Sequence, residues 1–167
     1  EERQNLQIAM NTMDNFAAKT GLPTYFLLGP NSIYINQDKL PTHVEKVDQN
    51  AIIHEAYSAC QHLKTIDVIP SLKENNSIIQ LYFKTDHHMT SEGAYLLYQA
   101  FCKTANIETI SLSEFRKETV STDFLGTFDS KAQVPGQEQD KITVYKNKVK
   151  KNVIGEYEKE VSNSIFN

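Results

Sequence analysis

The chain carries only two cysteines, Cys60 and Cys102, and neither belongs to a Cys-x-x-Cys pair. That spacing argues against a zinc ribbon or a thioredoxin-type redox site. Two states stay open: a pair of buried thiols, the common condition of free cysteine, or one disulfide in an oxidising compartment. Positive charge is not in excess either. The formal net charge is -4, which gives no electrostatic footprint for a nucleic-acid partner. No apolar run approaches the ~20 residues of a membrane span, and no signal peptide is visible. The opening Glu1-Glu2-Arg3 is abrupt, as a trimmed chain's would be. Repeats and low-complexity tracts are absent. What is present is ordinary globular composition, 40% apolar and 23% charged over 167 residues. That suffices for a single domain, residues 1–167, with a real core.

Hydrophobic spacing outlines the elements. Leu6, Met10, Met13 and Ala17 predict an amphipathic helix over about 3–20, closed by Gly21 and Pro23. Thr24 to Leu28 reads as a short buried strand bounded by Gly29-Pro30. Residues 31–44 read as a polar loop. Ile52, Ile53, Ala56, Tyr57, Cys60 and Leu63 predict a helix over about 45–63, carrying His54 and His62 on its surface. Thr65 to Ile69 is a second strand candidate, stopped by Pro70, and Ile78 to Phe83 is a third. Ala94, Leu97, Tyr98 and Phe101 predict a helix over about 91–104, capped by Thr90 or Ser91 with Glu92 in its first turn. The stretch 119–140 reads as a long loop, and Lys141 to Tyr145 as a strand. Lys146, Lys148, Lys150 and Lys151 then read as a solvated basic edge. The segment from Val161 to Asn167 ends without a stop signal, as if the chain halted within a fold. Alternating helices and strands imply an α/β class with a mostly parallel sheet.

The chemistry concentrates in Asp86-His87-His88-Met89, between the third strand candidate and the helix at 91. Loops that follow strands are where α/β folds place reactive groups. On residue types alone three readings stand side by side. Asp86 could orient a histidine as the acid of a hydrolase triad. It could instead cap the entry to a helix, with the histidines exposed. The acid and imidazoles could also ligate zinc, iron or manganese. His43, His54 and His62 are scattered and supply no further ligands. Backbone N–H groups at the helix start could receive an anion or oxyanion.

Tyr82 to Thr90, followed by Gly93-Ala94-Tyr95, resembles the signature of the bacterial DHHW proteins. These are relatives of the alginate O-acetylation enzymes within the SGNH hydrolase superfamily. Leu28 to Tyr34, Lys39-Leu40-Pro41 and Phe124 to Lys131 resemble the family's other blocks in the same order, so the likeness covers roughly residues 5–145. It implies a three-layer, flavodoxin-like α/β domain, incomplete at its C-terminus. It also implies that Asp86 matches the triad acid and His88 the triad base. His87 and Asn31 become accessory residues, and His87 a dispensable one. Met89 stands where the family commonly has tryptophan, and methionine can fill the same apolar wall.

No nucleophile is evident. In these relatives the serine follows the Asp-His motif within an Asp-Ser-aromatic turn, and this chain has no such segment. Ser130 lies in the only Asp-Ser pair, but lysine follows it. Ser32 follows a strand and is the better-placed candidate, although a turn serine is the plainer interpretation. The resemblance therefore implies an esterase or O-acetyltransferase domain that contributes acid and base, its serine lying beyond Asn167. The expected substrate is an acyl ester of a cell-surface polysaccharide, and a membrane acyl-donor protein is the expected partner. No cofactor and no metal are implied. The location implied is extracellular or in the cell envelope, membrane-tethered in the full-length protein. Two alternatives belong to other classes: an inactive glycan-binding or scaffold module, and a metal-dependent DHH-type phosphoesterase. The second requires an Asp-x-Asp motif that Asp14, Asp38 and Asp48 do not form.

Overall fold

A computed structural model describes residues 2–146. Lys148, Lys150, Lys151 and the segment from Val161 lie outside the described residues. The chain is mixed α/β and divides into two compact units. Among the described residues, one comprises 2–78 and 96–108, the other 79–95 and 109–146.

In the first unit, helix α1 (Glu2–Thr20) ends where Gly21 adopts a positive φ of 62° and its N–H donates to the Ala17 carbonyl. That is the left-handed stop glycine allows without steric cost. Met10 and Ala17 pack with Ala56 and Leu63 in the core, joined by Leu6, Met13, Phe26 and Leu28. Strand β1 (Tyr25–Leu27) pairs in parallel with β2 (Lys64–Ile66). Helix α3 (Gln49–Ser58) is capped by Asp48, whose carboxylate accepts from the Ala51 N–H. Its Tyr57 hydroxyl accepts from the Leu28 N–H and donates to the Ile66 carbonyl, both at 2.8 Å, so one side chain ties the ends of both strands.

Three expectations for this unit change. The loop at 31–44 contains a short helix, α2 (Ser32–Ile35), because the Asn31 side chain accepts from the Tyr34 N–H and caps it. Helix α3 stops at Ser58, so His62 sits in the turn before β2 and Cys60 beyond the helix end. Pro70 does not end a strand: it lies in the first turn of α4 (Ile69–Asn75), where its missing N–H costs nothing. Both cysteines are free. Cys102 is buried, but Cys60 only partly so.

In the second unit, Ile78 to Phe83 is not a strand. Only an isolated antiparallel bridge, Tyr82 with Met89, forms there. Parallel pairing is confined, among the described residues, to β1 and β2. The stretch expected as a loop at 119–140 holds most of β3 (Arg116–Phe124) and all of α6 (Thr127–Ala132). β3 pairs antiparallel with β4 (Asp140–Lys146), with register shifts between Thr119 and Ser121 and between Ser121 and Phe124. These bulges break the two-residue alternation that marks a strand in sequence. Helix α5 (Ser91–Ala105) begins in this unit. Thr90 is its cap: Oγ1 accepts from the Gly93 N–H while donating to the Gln80 carbonyl.

Candidate active site

The Asp-His segment occupies the tip of a tight hairpin. Tyr82 and Met89 bridge, the Phe83 N–H donates to the His88 carbonyl at 3.2 Å, and the Thr90 N–H donates to the Leu81 carbonyl at 2.9 Å. Asp140 holds one shoulder of this turn. Its buried carboxylate accepts from the Lys84 N–H at 2.6 Å and from Gln80 Nε2 at 2.8 Å. Sequence reasoning missed Asp140, and only its place at the head of a strand marks it out.

Asp86 is the centre of the tip and only 3% exposed. Its Oδ1 accepts from the His88 backbone N–H at 2.8 Å and lies 2.5 Å from His88 Nδ1. Oδ2 accepts from the Thr127 N–H at 2.8 Å. Burial alone would raise this carboxyl's pKa. The backbone donors Thr127 and His88, with the His88 and Thr127 side chains, outweigh burial and hold it well below the usual carboxylate range. An ionised carboxylate can only accept. Nδ1 of His88 is therefore the donor of the 2.5 Å contact, and Nε2 of the neutral ring keeps its lone pair. The His88 side chain is 68% exposed.

Helix α6 supplies the opposite wall. Its first N–H groups have no partner within the helix, and residues 85–86 receive them. The Gly126 N–H donates to Thr85 Oγ1 at 2.9 Å, Thr127 N–H to Asp86, and Phe128 N–H to the Thr85 carbonyl at 2.9 Å. The capping expectation for Asp86 is thus met at a different helix from the one that follows it in sequence. Gly126 is required sterically: a Cβ there would overlap the Asp86 side chain, 2.5 Å from Oδ2 and 2.8 Å from Cγ. N–H groups at the start of α5 are not a free anion site, because Thr90 takes those of Gly93 and Ala94.

His87 turns to the other side of the acid. Its Nδ1 lies 3.0 Å from Thr127 Oγ1 and 3.5 Å from Asp86 Oδ1, and its ring lies against that of His88 with centroids 3.9 Å apart. Asp86, His87 and His88 each offer one ligand atom within 4.8 Å of the others. The 2.5 Å between Asp86 Oδ1 and His88 Nδ1 is nonetheless too short for two ligands on one zinc, which sit ~3.3 Å apart at ordinary Zn–N and Zn–O lengths.

The remaining candidates have other partners. Ser130 lies on α6, not in a loop, and its Oγ donates to the Thr127 carbonyl at 3.0 Å. Ser32 opens α2 in the other unit, with Asn31 as that helix's cap. Asp14 is not a phosphoesterase ligand in this arrangement. It accepts from the N–H groups of Gln61, His62 and Leu63 and pairs with His62 Nδ1 at 2.9 Å. His62 is exposed, as the sequence suggested, and is paired there with Asp14. Met89 lines an apolar cleft together with His88, Phe83, Phe124 and Ile142.

The structure resembles several solved proteins. A DHHW family protein from Eubacterium siraeum aligns with a TM-score of 0.73 at 22% identity, covering 84% of this chain and 47% of that one. Bacillus cereus PatB1, solved with a sulfonyl adduct, gives 0.68 at 23% identity over 88% and 50%. The O-acetyltransferase domain of Pseudomonas putida AlgJ gives 0.65 at 14% identity over 86% and 55%. The chain thus spans about half the length of these structures, and at such identities they establish the fold. A search among curated proteins found no significant match. No helix among the described residues is long and apolar enough to cross a membrane. The model of the SGNH hydrolase-like domain of the acetyltransferase AlgX matches residues 1–160, and the chain belongs to that family.

Proposed function

We propose that this chain supplies the acid and base of a serine-dependent acyl transfer on esters of a cell-surface polysaccharide. The observation that carries this reading is the buried Asp86 carboxylate, 2.5 Å from Nδ1 of an exposed His88. A carboxylate so placed fixes the ring tautomer and favours the imidazolium that forms during reaction. In the first half-reaction a serine hydroxyl attacks the ester carbonyl. Its proton passes to His88 Nε2, the serine O–acyl bond forms, the ester C–O bond breaks, and the proton leaves with the departing alcohol. In the second, His88 takes a proton from the acceptor, a sugar hydroxyl for transfer or water for hydrolysis. The acyl group moves to that oxygen and the serine regains its proton.

We assign the nucleophile to a serine outside residues 1–167. Ser130 is committed to a backbone carbonyl, and the chain lacks the Asp-Ser-aromatic turn. Ser32→Ala and Ser130→Ala are accordingly expected to leave activity unchanged. A polysaccharide acceptor, a membrane acyl donor and an envelope location all belong to this proposal and rest on family membership.

Acetyl-ester hydrolysis by the full-length protein tests it. Asp86→Asn should lower kcat by about 10⁴-fold and His88→Ala by up to about 10⁶-fold, with the circular dichroism spectrum unchanged. His87→Ala should stay within about tenfold of wild type, an indirect effect on ring stacking. Wild-type rates in His88→Ala would refute the assignment. Chelation should leave the rate unaltered, because the proposed acyl transfer uses only serine, His88 and Asp86. Activity lost to chelator and restored by manganese would favour the phosphoesterase alternative.

A further inference from the structure

Thr127, the first residue of α6, meets Asp86 with two groups. Its backbone N–H donates to Oδ2 at 2.8 Å. Its side chain is also among the groups that keep the carboxyl ionised. The same hydroxyl oxygen, Oγ1, lies 3.0 Å from Nδ1 of His87. A hydroxyl has one proton and two lone pairs. An ionised carboxylate can only accept, and a hydrogen bond to a charge is stronger than one between neutral groups. The Thr127 proton therefore goes to Asp86. A lone pair of Oγ1 remains for His87, whose Nδ1 must then donate. The helix does not need this hydroxyl for its own entry. Residues 85 and 86 already receive the N–H groups of Gly126, Thr127 and Phe128.

From this we infer that Thr127 is a positioning residue for the Asp86–His88 pair, its hydroxyl linking His87 to the acid in one directed chain. The proton order is His87 Nδ1–H to Thr127 Oγ1, Thr127 Oγ1–H to Asp86, and His88 Nδ1–H to Asp86 Oδ1. Two donors from one α6 residue hold the carboxylate against rotation, so that Oδ1 stays on the His88 ring. His87, at the outer end, orients the hydroxyl. Acid–base groups lose efficiency when their placement loosens by a fraction of an ångström. The catalytic consequence rests on the proposed role of His88; the proton order does not.

Two readouts separate them. Long-range ¹H–¹⁵N correlation at mildly alkaline pH, in the intact protein, reads the His87 ring without any turnover. The wild type should show a protonated Nδ1 and a bare Nε2 on His87. Thr127→Ser should retain that pattern. Thr127→Val, which keeps the backbone N–H and the branched shape but has no hydroxyl, should lose it. A bare Nδ1 on His87 in the wild type would put the Thr127 proton on His87 instead of Asp86 and overturn the inference. So would a His87 pattern that survives Thr127→Val.

Ester hydrolysis by the full-length protein reads the consequence. Thr127→Val should lower kcat on the order of 10–100-fold, the rate equivalent of one hydrogen bond to a charged group. KM should stay within about twofold of wild type, as for a contact that matters to the reacting state. Thr127→Ser should recover most of the lost kcat, which a threonine needed only for packing would not predict. Thr127→Ala serves in its place should the valine variant misfold. A wild-type kcat without the hydroxyl, or equal losses in the serine and valine variants, would overturn the positioning role. Wild-type hydrolysis by His88→Ala would instead remove the catalytic reading, and the His87 ring would still decide the proton order.

Discussion

At the scale of single residues, the site depends on one buried carboxylate. Asp86 serves three donors from two segments, and Gly126 leaves the space it occupies. Gly126→Ala must push Asp86 away or move the start of α6. We expect a loss of about 1–3 kcal/mol in a urea titration and a fall in ester hydrolysis comparable to Asp86→Asn. An alanine variant with wild-type stability and rate would contradict the packing described. Acid provides a second test. Asp14, through His62 and the N–H groups of residues 61–63, and Asp86 are both held below the usual carboxylate range. A depressed folded-state pKa gives stability that is present above the unfolded value and disappears as pH falls. The urea midpoint should therefore decline below about pH 4, and the Asp14→Asn, Asp86→Asn double variant should lose part of that dependence. The pairing of Asp86 with His88 was legible, because an Asp-x-His spacing in a tight turn brings the two together locally. The Lys84–Asp140 contact was not, since it joins residues 56 positions apart.

Among the elements, legibility followed periodicity. α1 and α5 declare themselves by apolar spacing, and β4 by alternation. β3 does not: along Arg116–Phe124 the less exposed positions recur every third residue, because two register shifts interrupt the pleat. α4 was hidden by Pro70, a residue that ends helices from inside but suits their first turn. α6 was hidden because its capping groups come from Thr85 and Asp86, some forty residues earlier. One side chain bridges the ends of the short parallel pair. Tyr57 is buried, which raises its hydroxyl pKa, and it bridges Leu28 and Ile66. Tyr57→Phe should cost about 1–3 kcal/mol by leaving those backbone groups without their partner. Unchanged thermal unfolding would show that this bridge contributes little.

For the whole molecule, composition and charge excluded partners more effectively than they named one. The family came from an ordered series of blocks and is supported by a model that matches residues 1–160. The second unit contains the Asp–His pair, the helix that caps its acid and the apolar cleft. Its chemistry rests on one electronic claim: Asp86 fixes His88 with the proton on Nδ1 and the lone pair on Nε2. Long-range ¹H–¹⁵N correlation of the His88 ring, at mildly alkaline pH in the intact protein, measures this directly. The account predicts a protonated Nδ1 with a strongly downfield proton and an unprotonated Nε2, and loss of that pattern in Asp86→Asn. A proton resting on Nε2 in the wild-type protein would contradict it.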